Sequence, residues 1–365
     1  MKTKDLIYLV SCAVNEKKPD TARVAGMDLA ALYRQAVWHM LAAAAAPALE
    51  EAGVKDERFM KAARSSLLKN ATMDAEMEVL FAALDKAGIW HMPLKGIVLQ
   101  HLYPSYGMRQ MSDHDILFDA ARADDVRTIM EGLGFTTEHF DVGSHDVYYK
   151  KPVCNFEMHR ALFGPEHEEK LYEYYKDVEK RLRGDGFEKH LSPEDFYIFM
   201  TAHEYKHYAG GGTGLRSLLD TYVYLQKESP DMDYVAAEME KLGIAAFEAA
   251  NRSLSQHLFS GGKLTESDRE MLRYILTSGA YGTTTHRVEN SVRKKGGSKL
   301  RYAMSRFFGP MREGDEGYQA FAKQYPFFYE HKLLMPLLPL YRTARGLASG
   351  NLISEVKALR KAKKN

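Results

Sequence analysis

Two aspartates separated by one residue are the feature of this sequence that most suggests chemistry. Asp113 and Asp115 lie in the run 111–119, which reads as a β-strand. Side chains alternate between the two faces of a strand, so both aspartates are predicted to point one way and His114 the other. Adjacent carboxylates repel each other unless a cation lies between them, and Mg²⁺ prefers such oxygen ligands.

A third acid occurs on a later predicted strand. In the run 153–160, the apolar residues Phe156 and Met158 alternate with Glu157 and His159, so the last two are predicted to share a face. If the two strands are neighbours, three carboxylates converge, as in the two-metal sites that clamp both oxygens of a phosphoryl displacement. Because D-x-D pairs are common, solvated acids at a strand edge or turn are the alternative interpretation.

A competing motif, H-E-x-x-H, occurs at 203–207 on a predicted helix. Its two imidazoles share a face at i and i+4, as zinc proteases require, with the glutamate as general base. The third histidine of the extended pattern falls on Thr213, but a later acid such as Asp220 could replace it. A zinc hydrolase, histidines packed near the sheet and histidines that support a nucleotide site all stay open.

Length and composition limit the function classes. The 365 residues suffice for about two domains and a sizeable core. Lys and Arg total 50 against 49 acidic residues, a net charge of +1 that argues against a protein specialised for polyanions. A hydrophobic fraction of 45% excludes global disorder. Cys12 and Cys154 form no C-x-x-C pair, which excludes a disulfide scaffold and a cysteine-rich zinc site.

The pattern of hydrophobic residues predicts an α+β protein. Residues 1–88 and 166–365 have helical periodicity, whereas 89–165 reads as a compact α/β core with a small mixed sheet. The Gly-, Ser- and Lys/Arg-rich segment 282–300 is predicted to be a mobile loop. The strands of the core are predicted at 89–94, 111–119, 135–140, 145–151 and 153–160. We expect a cytoplasmic protein without membrane contact, because the chain start is a poor signal peptide and the alanine run 41–46 cannot span a bilayer.

The ordered motifs of the core resemble the uncharacterised bacterial nucleotidyltransferase family of the polymerase-β-like nucleotidyltransferase superfamily. The resemblance is closest over 90–160 and looser through His203, the Arg216-x-x-x-Asp220 pattern and 325–345. It implies a nucleotidyltransferase-type sheet at 89–165, flanked by the N-terminal helices and a larger C-terminal helical region. The residues that carry it are Lys95-Gly96-x-x-Leu99, Tyr103-Pro104 and Arg109-x-x-Ser112-Asp113-x-Asp115-x-Leu117.

The resemblance also implies an activity: Mg²⁺- or Mn²⁺-dependent transfer of NMP from an NTP such as ATP to an unidentified hydroxyl acceptor, either a small molecule, a sugar or a protein. Asp113, Asp115 and Glu157 would be the catalytic residues and metal ligands. The superfamily's phosphate loop commonly has Gly-Ser, whereas Ile97 follows Gly96 here, so one hydroxyl contact is missing. The nucleotide-binding residues would be Lys95, Gly96, Arg109, Ser112, His159 and Arg216.

Other interpretations of these residues stay open. Arg109 could form a salt bridge with one of the acids, and Arg216 could pair with Asp220 at i, i+4 on a helix. The basic segment 287–306 offers a surface for RNA, but no base readout can be located, so nucleic acid is not the favoured partner. A non-catalytic nucleotide- or partner-binding module on the same fold is the second function considered.

Overall fold

Helices make up both ends of the chain and surround one small sheet. The computed structural model describes residues 2–141, 143–164, 169–309, 311 and 318–362. The first five helices are α1 (Lys2–Val14), α2 (Thr21–Ala25), α3 (Leu29–Trp38), α4 (Ala42–Glu51) and α5 (Glu57–Lys86). The core contains β1 (His91–Pro93), α6 (Gly96–Leu99), β2 (His114–Phe118), α7 (Ala123–Gly132), β3 (Thr136–His139), β4 (His145–Lys150) and β5 (Cys154–His159).

The rest of the chain is helical, as predicted. Its helices are α8 (Glu169–Tyr175), α9 (Pro193–Gly210), α10 (Leu215–Lys227), α11 (Met232–Leu242), α12 (Ala245–Ser260), α13 (Glu266–Ser278), α14 (Thr284–Lys294), α15 (Lys299–Phe308), α16 (Tyr318–Gln324), α17 (Pro326–Glu330), α18 (Leu338–Ala348) and α19 (Asn351–Lys361). Within the described residues, no helix combines the length and the apolar character that crossing a bilayer requires.

The five strands form a single mixed sheet in the order β1-β2-β5-β4-β3. Strand β2 pairs with β5 in parallel, and the other neighbouring strands pair antiparallel. All five strands lie within the segments that the sequence predicted, and the predicted α+β class is confirmed. The parallel pair places the two acidic strands side by side.

The two faces of the sheet pack against different helices. Ile116 and Phe118 of β2 belong to a buried apolar cluster with residues of α5 and α7. Leu117 belongs to a second cluster with residues of α8, α9 and α11. Alternation along β2 therefore directs Asp115 to the side of α9 and His114 to the side of α5, as predicted.

The N-terminal helices share a core with the C-terminal region. A third cluster of buried side chains combines Leu9 and Phe59 from this end with Leu215 of α10, Leu254 of α12 and Ile275 of α13. Because these side chains pack against one another, the apolar surface of both helical regions is removed from water. The loop between α6 and β2 is anchored in the same cluster through Tyr103 and Met108.

The prediction of a mobile loop at 282–300 is wrong, because most of this segment is helix α14. Thr283 caps the helix by accepting a hydrogen bond from the backbone N–H of His286. Val288 and Val292, four residues apart, are buried in a small cluster with Tyr302 and Ala358. The polar composition concealed this narrow apolar stripe. A helix with such a stripe is stable when a neighbouring element covers the stripe.

Candidate active site

The acidic residues of the two central strands lie side by side. Asp115 of β2 is paired in register with Glu157 of the parallel strand β5, so both side chains are on the face toward α9. His159, two residues further along β5, shares this face. Asp113 immediately precedes β2 and is close enough to influence the ionisation of Asp115 and Glu157.

Asp115 is almost fully buried and is held by two partners. Lys95 Nζ lies 2.7 Å from Asp115 Oδ1, and His159 Nε2 lies 2.8 Å from the same oxygen. Burial alone would raise the pKa of Asp115, but the Lys95 charge and the hydrogen bond from His159 hold it well below its usual range. Asp115 is therefore a carboxylate that already has one positive neighbour.

Nearby cations compensate the negative charge of Asp113 and Glu157 less completely than that of Asp115. Burial and then the nearby Asp115 raise the pKa of Asp113. Burial, followed by repulsion from Asp115 and Asp113, raises the pKa of Glu157 to about 7. Raised carboxyl pKa values of this kind are typical of sites that accept a proton or a cation.

The Lys95-Gly96 turn leaves space for only a hydrogen at position 96. A Cβ on Gly96 would lie 2.5 Å from Met111 Cε and 2.6 Å from Arg109 Nη1. Lys95 has a φ of 43°, which is uncommon for a residue with a side chain, and it directs its ammonium to Asp115. Gly96 thus packs directly against the side chains of Arg109 and Met111, next to the lysine that contacts Asp115.

Arg109 lies in an ion pair, but with a different acid from those expected. Its Nε and Nη2 donate to Asp220 Oδ1 and Oδ2 at 2.8 and 2.9 Å. Tyr103 Oη donates to Asp220 Oδ1 at 2.7 Å. Asp220 thus pairs with Arg109, whereas Arg216 Nη1 donates to the backbone carbonyl of Gln110 at 3.2 Å. Arg216 is one of the charges that lower the pKa of Asp113.

Ser112 contacts two residues that the sequence did not mark as candidates, Lys69 and Tyr281. Ser112 Oγ and Tyr281 Oη share a hydrogen bond of 2.7 Å, and Lys69 Nζ donates to the Ser112 carbonyl at 2.8 Å. Lys69 is a further cation near Asp113. Burial lowers the pKa of the Lys69 ammonium, and the charge of Asp113 partly opposes this shift. Lys69 and Tyr281 lie on distant elements, and nothing in their sequence context marks them.

His145 is the third residue that sequence reasoning missed. It lies on β4 opposite His159, and the centroids of the two rings are 4.9 Å apart. Its Nε2 lies 3.5 Å from Glu157 Oε2. Both strands were predicted, but the register of their antiparallel pairing, which the sequence does not specify, decides that these residues meet.

The H-E-x-x-H glutamate does not lie where a zinc protease places its general base, and within the described residues the two histidines belong to no group of three potential metal ligands. Glu204 is buried and accepts a hydrogen bond from Asn251 Nδ2 at 3.0 Å, so its carboxyl group lies within the helical packing. His203 and His207 Nε2 atoms are 3.2 Å apart. Burial and the nearby charge of Lys95 lower the pKa of His203, which thus lies near the acidic face of the sheet.

Comparison with known proteins is consistent with this geometry. A family model described as "Uncharacterised nucleotidyltransferase" matches residues 25–260, which include the sheet, its acidic residues and helices α9 and α10. No curated protein and no solved structure matched significantly. The matched region covers well over half of the chain. The chain therefore belongs to the uncharacterised nucleotidyltransferase family.

Proposed function

We propose that this protein transfers a nucleoside monophosphate from an NTP to a hydroxyl group of its acceptor, with Mg²⁺ or Mn²⁺ as cofactor. The observation that carries the proposal is the in-register pairing of Asp115 and Glu157 on parallel neighbouring strands, with Asp113 directly before the first. Membership of a nucleotidyltransferase family supports the general reaction.

The donor chemistry of these three acids suits a hard divalent cation, although among the described residues the group whose ligand atoms converge within 4.8 Å is His145, Glu157 and His159. Asp113, Asp115 and Glu157 supply oxygen donors, which Mg²⁺ prefers. Burial and repulsion between the acids raise the pKa values of Asp113 and Glu157, and a cation bound between them would relieve this repulsion. When bound, the metal would offset the negative charge that develops on the reacting phosphate.

The reaction forms one P–O bond and breaks another. The acceptor hydroxyl attacks the α-phosphorus, and the bond between the α-phosphorus and the oxygen bridging to the β-phosphate breaks, which releases pyrophosphate. Glu157, the acid on the neighbouring strand β5, is the candidate to accept the hydroxyl proton. Asp113 and Asp115 supply negative charge from the start of β2, which is held between β1 and β5 in the sheet.

Cations around Asp113 are suited to hold the triphosphate. Lys95, Lys69 and Arg216 approach it from three different elements, and Gly96 lets the backbone come close because it has no Cβ. Ser112 and His159 flank the same region. Arg109 is predicted to act mainly by holding this loop, because Asp220 already binds its guanidinium at two points.

The experiment is a search for NMP-modified products by mass spectrometry. The purified full-length chain is incubated with labelled NTPs, Mg²⁺ and either metabolites or proteins of a cell lysate. Asp113→Asn is expected to abolish transfer while leaving the thermal unfolding transition in place. Asp124→Asn, at an exposed position of α7, is the matched control and should retain full activity. Retained transfer by a folded Asp113→Asn variant contradicts the mechanism.

A further inference from the structure

A group of nitrogen and oxygen ligands lies beside the three carboxylates. His145, Glu157 and His159 each offer one ligand atom, and these atoms lie within 4.8 Å of one another. Two imidazoles and one carboxylate form the ligand set typical of open zinc sites, in which a water or substrate takes the fourth position. Mg²⁺, by contrast, selects oxygen ligands.

The spacing of these atoms fits a small tetrahedral ion. Glu157 Oε2 lies 3.5 Å from His145 Nε2 and 3.7 Å from His159 Nε2. With metal–ligand distances of about 2.1 Å, a tetrahedron places its ligand atoms about 3.4 Å apart. Small side-chain movements would therefore bring all three atoms into the shell of one ion.

The site is rigid on one side and open on the other. His159 is 5% exposed, so the surrounding packing holds its ring in place. The side chain of His145 is 36% exposed, which gives an ion and a fourth ligand a path from solvent.

We propose that His145, Glu157 and His159 bind one first-row transition-metal ion, with Zn²⁺ as the best match to this donor set. The ion would lie next to the Asp113–Asp115 pair, and Glu157 belongs to both donor sets. His159 Nε2 lies 2.8 Å from Asp115 Oδ1, so the bond to the ion would replace this hydrogen bond. The proposal goes beyond the proposed function, because Mg²⁺-dependent transfer does not require an ion bound to His145 and His159.

Direct metal binding tests the proposal. The full-length protein is stripped with a chelator and titrated with Zn²⁺, and with Co²⁺ as a spectroscopic substitute, in the presence of excess Mg²⁺. We expect one equivalent of Zn²⁺ that Mg²⁺ does not displace, and Co²⁺ absorption bands of tetrahedral intensity. Zn²⁺ is also expected to raise the thermal unfolding temperature. A wild-type protein that fails to bind Zn²⁺ under these conditions overturns the proposal.

Histidine variants locate the ion. His145→Ala is expected to weaken Zn²⁺ binding about 10-fold or more and to fold normally, because His145 is partly exposed. His139→Ala, at an exposed position on β3 of the same sheet, is the matched control and should bind normally. Zinc binding that survives in His145→Ala, or that is lost in His203→Ala with His145 intact, overturns the assignment. His145→Gln provides a second, more conservative variant.

The outcomes for metal binding and for nucleotidyl transfer can be separated. Asp113→Asn is expected to lose transfer and to keep Zn²⁺. A wild-type protein that binds zinc through His145 but transfers no NMP contradicts only the proposed function. A protein that transfers NMP with Mg²⁺ alone and binds no zinc contradicts only the metal site inferred here.

Discussion

Arg109 and Asp220 form a buried, two-point ion pair between the loop in front of β2 and helix α10. Nε and Nη2 of Arg109 donate to the two carboxylate oxygens of Asp220 at 2.8 and 2.9 Å. Both side chains are less than a tenth exposed. The pair therefore connects the C-terminal helices to the loop that leads directly into Asp113.

Breaking this pair is expected to destabilise the whole protein. Asp220→Asn leaves the Arg109 charge buried without a counter-ion, and Arg109→Lys cannot donate at two points. Asp220→Asn should lose about 3–5 kcal/mol of the free energy of unfolding, measured by urea denaturation, and Arg109→Lys, which keeps a charge opposite Asp220, should lose less. The double variant Arg109→Met/Asp220→Leu removes both charges and should recover part of this loss. Single-variant losses below about 1 kcal/mol, as for exposed pairs, would contradict a structural role.

Gly96→Ala is expected to weaken NTP binding about 10-fold or more. The added Cβ would overlap Arg109 Nη1 and Met111 Cε. This overlap would displace the turn that holds Lys95. Isothermal titration with a non-hydrolysable NTP analogue and Mg²⁺ measures the effect. Gly132→Ala is the matched control, since nothing lies within 4 Å of a Cβ at that position. Equal affinities for the wild type and Gly96→Ala would show that this turn does not approach the nucleotide.

The sequence predicted the parts of the site that depend on local pattern. Alternation along β2 and β5 was enough to place Asp115 and Glu157 on strand faces, and all five strands were located. The partner of Arg109 was not predictable, because Asp220 lies 111 residues away and only tertiary packing brings them together. The same holds for His145, whose approach to Glu157 depends on hairpin register.

Asp74 of α5 is expected to position β2 from the face opposite to Asp115. It lies 2.8 Å from His114 Nε2 and accepts hydrogen bonds from Gln100 Nε2 and Tyr106 Oη at 3.0 and 2.5 Å. Asp74→Ala leaves these three groups without their acceptor and should cost about 2–4 kcal/mol of the free energy of unfolding.

Thermal and urea unfolding measure the effect of Asp74→Ala. Glu78→Ala is the matched control, since this residue is exposed on the same helix and should change stability by less than about 0.5 kcal/mol. If Asp74→Ala is as stable as the control, the network does not hold β2.

Glu204 is expected to make the stability of the fold depend on pH. Burial raises the pKa of Glu204 from 4.5 to about 8, although hydrogen bonds from Asn251 and Thr221 partly oppose the shift. Between these values the folded chain keeps a proton that the unfolded chain has released, so the free energy of unfolding falls as pH rises through this range. Glu204→Gln should therefore be the more stable protein at high pH, by on the order of 5 kcal/mol, with the advantage shrinking toward about pH 5. Urea unfolding of both proteins across this range measures the difference, with Glu240→Gln on the exposed side of α11 as the control. Parallel pH profiles for the wild type and Glu204→Gln would show that the buried carboxyl is ionised in the folded state.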